Sequence, residues 1–564
     1  MRISSSVAVL AFAAALAGGA AAQAQTAQAQ TAQAQTAQAQ TAPAFDAARI
    51  SEHIRILSDD SFEGRGIATP AEQKVIDYLS RQYAAAGFAP GGENGGWTQA
   101  VGLNRFSVSN VSGQLKLGDW SQPLTQGQEV TMTTRLPGAA VDLKDKPLVF
   151  VGYGISAPER QWNDFKTDVR GKVIVVLVND ADFEDPSLNT FGGEAMTYYG
   201  RWTYKFEEAA RQGAAGVLIV HETKPASYGW TTVANSWGVP QFDIVRADPS
   251  AERVAMEGWI QRDLAVDLFH RAGLDFEQEK IKARSRDFQP VELTGATLDA
   301  KFDVKSERIV THNVVAKLEG TTHPDETVLY TGHWDHIGMG EPDANGDRIF
   351  NGAIDNASGT AALLEMSRQW SAGPRPERTI VMISFTGEES GLLGSEFYAA
   401  NPLYPVEKTV GGFNIDSAAV FGRMNKLGVT GYGHSELDEP VIAAAAAQGR
   451  GFVGDAGAAA GIYFRSDHFP LAKKGVPMAY LSSTGEFIDA PIEPRLARAA
   501  DYRANRYHQA ADEWEADWDY SGMLQDLEVM FKVGQDLANS RDWPEWKSGS
   551  EFGPERAKSA AQRR

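Results

Sequence analysis

Apolar side chains recur along this chain at two spacings. Ile50, Ile54 and Leu57 predict a helix over 47–58, and Val75, Tyr78, Leu79 and Tyr83 predict another over 71–86, stopped by Gly87 and Pro90. From about residue 142 the texture changes to short apolar runs. Residues 147–152, 172–178 and 215–221 read as buried strands, with a helix over 204–212. After residue 313 strands and helices alternate, with strands over 327–331, 379–385, 412–415 and 476–481 and a helix over 359–370 that buries Leu363, Leu364 and Met366. Such alternation predicts an α/β fold with a mixed, mostly parallel sheet flanked by helices.

The pattern before residue 141 resumes after residue 289, so 141–289 reads as an insertion in a discontinuous domain made of 44–140 and 290–545. Ahead of them, Arg2 precedes an apolar run from Val7 to Leu16 and a small-residue stretch to Ala22, the pattern of a bacterial secretory signal over 1–24. A run of about ten apolar residues falls short of the roughly twenty that a membrane span needs. The expectation is therefore a periplasmic or secreted protein with no membrane attachment after cleavage. Residues 25–43 hold a repeated Thr-Ala-Gln-Ala-Gln unit without large apolar side chains, which predicts a disordered spacer. The polar stretch 546–564 predicts a flexible tail.

Composition narrows the chemistry. A formal net charge of −20 argues against nucleic acid as a partner. The sequence has no cysteine, so disulfides and thiolate metal sites are excluded, and any metal must be held by carboxylates and by some of the 10 histidines. Oligomeric state is not set by the sequence. Gly449 to Gly454 matches a dinucleotide fingerprint but follows an Ala-rich helical stretch rather than a strand, and reads as a helix stop and loop. There is no His-Glu-x-x-His, Gly-x-Ser-x-Gly or phosphate-loop motif, which removes thermolysin-type, serine-hydrolase and nucleotide-hydrolase readings.

Three predicted strands run into candidate ligands at their C-terminal ends: Gly332-His333-Trp334-Asp335, Gly387-Glu388-Glu389 and Ile415-Asp416. A fourth element, Gly352-Ala353-Ile354-Asp355-Asn356, leads into a helix. In an open parallel sheet those ends converge on one crevice. Taken singly, Glu388-Glu389 reads as a solvated surface pair, and Asp355 and Asp416 read as turn or cap residues. Gathered together, the acids repel one another unless a cation lies among them. One His with four carboxylates, completed by a distant His, suits zinc; from spacing alone that second His is either His508 or His468.

These motifs resemble peptidase family M28, and more narrowly its bacterial zinc aminopeptidases with an inserted protease-associated (PA) domain. The resemblance includes Phe62-Glu63-Gly64-Arg65, Tyr199 to Lys205, Gly332 to Gly338, Asn351 to Gly359, Glu388-Glu389, Arg465 to Phe469 and Tyr507-His508. It implies the zinc-exopeptidase (phosphorylase/hydrolase-like) fold, with a smaller β-rich PA domain over 141–289. It further implies two zinc ions, one on His333 and Asp416 and the other on Glu389 and His508, bridged by Asp355 and a water. Glu388 becomes the general base, and Asp335 holds the His333 imidazole. A cis peptide is expected after Asp355. His468 moves to the pocket wall, near substrate, with Arg465 and Tyr463 as further substrate-binding candidates. The remaining histidines, His336 among them, read as structural or surface. The activity implied is removal of the N-terminal residue from peptides, with glutaminyl cyclase or zinc carboxypeptidase as alternatives on the same fold.

Overall fold

A computed structural model describes residues 44–563 apart from 341, 344 and 456. The expected signal over 1–24 and spacer over 25–43 lie outside the described residues. Thirteen strands organise the rest: β1 (Thr98–Leu117), β2 (Val130–Thr133), β3 (Ala140–Phe150), β4 (Val173–Leu177), β5 (Gly216–His221), β6 (Met256–Gln261), β7 (Val291–Leu318), β8 (His323–His333), β9 (Arg378–Phe385), β10 (Thr409–Asn414), β11 (Met424–Thr430), β12 (Gly451–Val453) and β13 (Met478–Phe487). Twelve of them run through one sheet in the order β12-β11-β13-β10-β8-β9-β7-β3-β4-β5-β6-β2, and β1 joins it beside β7.

The half that carries the candidate ligands has β13, β10, β8 and β9 mutually parallel, with β7 antiparallel to β9 and β11 antiparallel to β13 but parallel to β12. Side chains alternate between its two faces. Val328 and Tyr330 of β8 and Ile380 and Met382 of β9 enter a core under the helices Ala47–Leu57, Pro70–Ala85, Gly359–Ala372 and Ser521–Asn539. Leu329, Val381, Ile383 and Phe385 point the other way, against Tyr398 and Leu471. A parallel sheet covered on both faces needs such unbroken apolar runs, which is why the sequence shows runs rather than alternation there.

The other half repeats the plan, with β3, β4, β5 and β6 parallel. Val173, Val175 and Leu218 serve one core; Ile174, Val176, Val217 and Ile219 serve the opposite one. The halves are joined through β7, a 28-residue strand. Its last residues pair with β9, and its first pair with β3, while β1 runs antiparallel along its length from Ala296 to Val314. Because β1 and β7 cross from one half to the other, the second core draws on residues on both sides of the expected 141–289 segment. Phe106, Leu115 and Met132 precede it, and Leu298, Phe302 and Phe552 follow it. Gly449, at φ +76°, ends the helix Asp438–Ala447, and the fingerprint-like run continues into the short strand β12.

The expected flexible tail is instead packed. Trp546 is buried and donates its indole N–H to the Gly475 carbonyl at 2.9 Å. The buried Arg556 guanidinium donates to the carbonyls of Thr409, Val410 and Pro544 at 2.9, 3.0 and 3.1 Å. A Cβ on Gly475 would stand 2.6 Å from the Arg556 nitrogen, so a glycine is required at this crossing. The polar composition misled because its arginine is satisfied by backbone carbonyls, which leave no sequence signal. Arg556→Ala is expected to lower unfolding stability by about 2–4 kcal/mol, since three buried acceptors lose their donor. The check is the shift in urea midpoint; an unchanged midpoint would mean the tail contributes nothing.

Candidate metal centre

Parallel neighbours β10, β8 and β9 end side by side, which sets the site. His333 is the last residue of β8, Asp416 lies two residues beyond β10, and Glu388 and Glu389 follow β9 within four residues. Gly332 precedes the histidine because any Cβ there would meet the Ile415 carbonyl at 2.6 Å. Asp355 comes from the turn Ala353–Ser358 ahead of the helix Gly359–Ala372, and its peptide bond to Asn356 is cis.

That turn is tied down on several sides. Asn356 donates from Nδ2 to the Ile415 carbonyl at 2.9 Å, and its Oδ1 accepts from the Gly359 and Ser417 amides at 2.9 and 3.1 Å. Asp512 accepts from the Ile354 amide at 3.0 Å and from the Asp355 amide at 3.1 Å. The buried Arg65 donates to the carbonyls of Trp334, Asn351 and Gly352 at 2.8, 2.6 and 2.8 Å, joining the His333 turn to the Asp355 turn.

Held in this way, Asp355 divides its two oxygens. Oδ1 stands 3.3 Å from His333 Nε2, and Oδ2 stands 3.1 Å from His508 Nε2. Asp416 Oδ1 lies 3.4 Å from the same His333 nitrogen, and Glu389 Oε2 lies 3.3 Å from His508 Nε2. Two donor groups thus share one carboxylate. His333, Asp355 and Asp416 offer ligand atoms that all lie within 4.8 Å of one another. His336, Asp355 and Glu389 form a second such set, and His333, Glu388 and Glu389 a third. Donors limited to imidazole nitrogen and carboxylate oxygen suit zinc.

The electrostatics point the same way. Burial opposes charge on His333, yet the negative charge of Glu388 and contacts with Asp355 and Asp416 raise its pKa well above the usual imidazole range. His508 is raised too, with Asp355 and Glu389 outweighing its burial. Burial also works to raise Asp355, but its bonds to the two imidazoles hold it well below the ordinary carboxylate range. Burial, followed by the charges of Asp416, Glu389 and Asp467, pushes Glu388 well above the range of a free carboxylate, against the pull of His333. The cluster demands positive charge, and a divalent cation supplies more of it than protonated imidazoles do.

Several placements refine the sequence reading. The Asp335 carboxylate was expected to hold the His333 ring; the turn brings the Asp335 backbone carbonyl to 3.1 Å of Nδ1, while Oδ1 stays at 3.8 Å and accepts from the Glu388 amide at 3.2 Å. Burial pushes this carboxyl up to about 7. His336, read as structural, is a competing donor for the second group, with Nδ1 2.6 Å from Glu389 Oε1 but out of line for a hydrogen bond. His508 is 39% exposed and carries Tyr507 stacked on its ring at 4.0 Å. His468 is fully buried between Tyr463 and Tyr480, and burial pulls it down to about 3, so it is neutral. Neither His468 nor Tyr463 is among the residues lining the cavity in front of the cluster, whereas Arg465 is. Asp512, Arg65 and Ser466, which donates to Asp416 Oδ2 at 2.6 Å, had no assigned role, because their partners are backbone groups or a remote carboxylate.

The cavity has a volume of 670 Å³. Its lining includes Asp355, Glu388, Glu389, Asp416 and His508, together with Arg201, Arg246 and Arg253 from the β3–β6 half. Fold and site together define a candidate metal centre on a doubly covered α/β sheet. The model of peptidase family M28 matches residues 313–531. The chain is similar to a probable zinc metalloprotease of Pyrenophora teres f. teres (strain 0-1), 41% identical over 100 residues, which cover 17% of this chain and 21% of the relative. It is also similar to aminopeptidase NAALADL1 of Mus musculus, 27% identical over 302 residues that cover 43% of this chain and 38% of the relative. The chain therefore spans well under half the length of these relatives. Among solved structures, an aminopeptidase from Aneurinibacillus sp. strain AM-1 aligns with 88% of this chain and 94% of its own at 19% identity and a TM-score of 0.47.

Because Asp512 fixes the backbone on which Asp355 rides, Asp512→Ala is expected to weaken zinc binding roughly 10–100-fold, as loss of a ligand-orienting group does. Competition against a chromogenic chelator measures this; wild-type affinity in the variant would remove Asp512 from the site.

Proposed function

We propose that the chain is an exported di-zinc exopeptidase that removes the N-terminal residue from peptides. The observation that carries this reading is Asp355, whose two oxygens each face a different imidazole at 3.3 and 3.1 Å. One carboxylate shared by two donor groups is the arrangement a metal pair requires. The M28 match over 313–531 and the aminopeptidase and metalloprotease relatives support the reaction class. Export is supported by the signal-like pattern over 1–24, and among the described residues no helix is long and apolar enough to cross a membrane.

His333, Asp355 and Asp416 would hold one ion, and Asp355, Glu389 and His508 the other. Zinc bound there supplies Lewis acidity and makes a water acidic enough to deprotonate near neutral pH. Glu388 lines the cavity beside both groups and takes that proton as the water attacks the scissile carbonyl. Its raised proton affinity suits it to keep the proton and then hand it to the departing amine. Asp335 steadies this base by accepting from its backbone amide. The wall that the β3–β6 half presents to the cavity supports a PA-type role for that lobe, limiting access to short chains.

A panel of free-amine and N-acetylated aminoacyl-nitroanilides tests the reading. Cleavage of the free-amine compounds alone, lost on chelation and regained with zinc, is expected. Equal cleavage of both sets, or indifference to chelation, would overturn it. Glu388→Gln should lower kcat about 10²–10⁴-fold while leaving the zinc content unchanged, because it removes a general base and not a ligand.

A further inference from the structure

The cations lining the cavity fall into two groups. Arg135 is paired with Glu257 at 2.9 Å, Arg246 with Asp243 and Glu252 at 3.2 and 3.4 Å, Arg253 with Asp243 at 2.8 Å, and Lys473 with Glu207 at 3.2 Å. Arg201 and Arg465 have no carboxylate partner among the described residues. Among the described residues, Arg465 donates only to the Ser227 hydroxyl at 3.2 Å and the Ala460 carbonyl at 2.7 Å. Its Nε and that of Arg201 are sealed from solvent without a hydrogen-bond partner.

Both side chains line the same cavity, and they come from different parts of the chain. Arg201 belongs to the β3–β6 half, just ahead of the helix Trp202–Arg211, and its Cδ passes over Gly461, where an added Cβ would be 3.4 Å away. Arg465 closes the loop that follows Gly461. The Met196 amide donates to the Ala458 carbonyl at 2.9 Å, so this junction is fixed by the backbone. Burial, and next the charge of Arg465, pull the Arg201 guanidinium down to about 10. Two guanidinium groups in one cavity, each with a sealed and unused donor, are costly unless an anion answers them.

We propose that Arg201 and Arg465 form a subsite for a carboxylate of a short peptide whose other end lies at the metal ligands. This rests on the exopeptidase reading, since the same 670 Å³ cavity holds both sets of residues. A cavity of that size, within the range of about 300–1,000 Å³ that encloses small ligands, fits a short peptide and not a folded protein. A planar fork with several N–H groups matches a carboxylate in bidentate fashion, which a lysine cannot. Of the other lining charges, Lys474 also lacks a carboxylate partner among the described residues but is exposed to solvent, as is Asp248, and Glu207, Glu252 and Glu396 are already paired. The carboxylate comes either from the peptide C-terminus or from an acidic side chain.

Three peptides separate these sources: Leu-Gly-Gly, its C-terminal amide, and Leu-Glu-Gly-amide. A C-terminal source gives a kcat/KM on the order of tenfold higher for the free acid than for the amide. A side-chain source gives that advantage to the glutamyl amide instead. In Arg201→Met and Arg465→Met the advantage should fall to near onefold through KM, and Arg201→Lys should restore only part of it. Calorimetric titration of the purified protein with N-acetyl-Leu-Gly-Gly and its amide reads the subsite without turnover. Tighter binding of the acetylated acid, with no peptide cleaved, would keep the subsite and sink the exopeptidase reading. Cleavage of all three peptides at equal efficiency, with the acetylated acid and amide bound alike, would overturn the subsite and leave the exopeptidase reading standing.

Discussion

Everything at the site depends on the repulsion among carboxylates that the sheet forces together. Asp355, Glu388, Glu389 and Asp416 face one cavity, and two imidazoles draw proton affinity from them. A fold does not hold such a cluster by default. It holds this one because strands β8, β9 and β10 are locked by cores on both faces, and because Arg65 and Asp512 fix the intervening turns through backbone groups. The apolar packing of the sheet thus counters the repulsion, and the excess negative charge it preserves is what a bound cation would answer.

Residues acting through their position at a strand end were legible in the sequence. His333, Glu388, Glu389 and Asp416 each follow a run of apolar residues, and a parallel sheet allows only one place for such ends to converge. Asp355 was legible because Gly352 and Gly359 frame it ahead of a helix. What stayed hidden acts through the backbone. Asp512 binds two amides, Arg65 three turn carbonyls, and Arg556 three more in the supposed tail. A partner that is a peptide group leaves no residue type to recognise. The 141–289 boundary was hard to read for a related reason: β7 is one unbroken strand that changes partners midway, so no loop marks the passage from one core to the next.

The same distinction bears on the two unpaired arginines. The sequence marks Arg201 only as part of the Tyr199 to Lys205 motif, and it does not say which of Arg201, Arg135, Arg246 and Arg253 lacks a carboxylate partner. Only the fold shows that three of them have carboxylates at hydrogen-bonding distance. A paired arginine stabilises the wall it belongs to, because its charge is already answered. An unpaired one raises the energy of the empty cavity and lowers that of a cavity holding an anion. On the proposed reading, function would sit where the fold leaves charge unanswered: negative at the ends of β8, β9 and β10, and positive at Arg201 and Arg465. A short peptide carries the complementary groups, a carbonyl for the cation-binding end and a carboxylate for the arginines, and the cavity volume limits how far apart they can be.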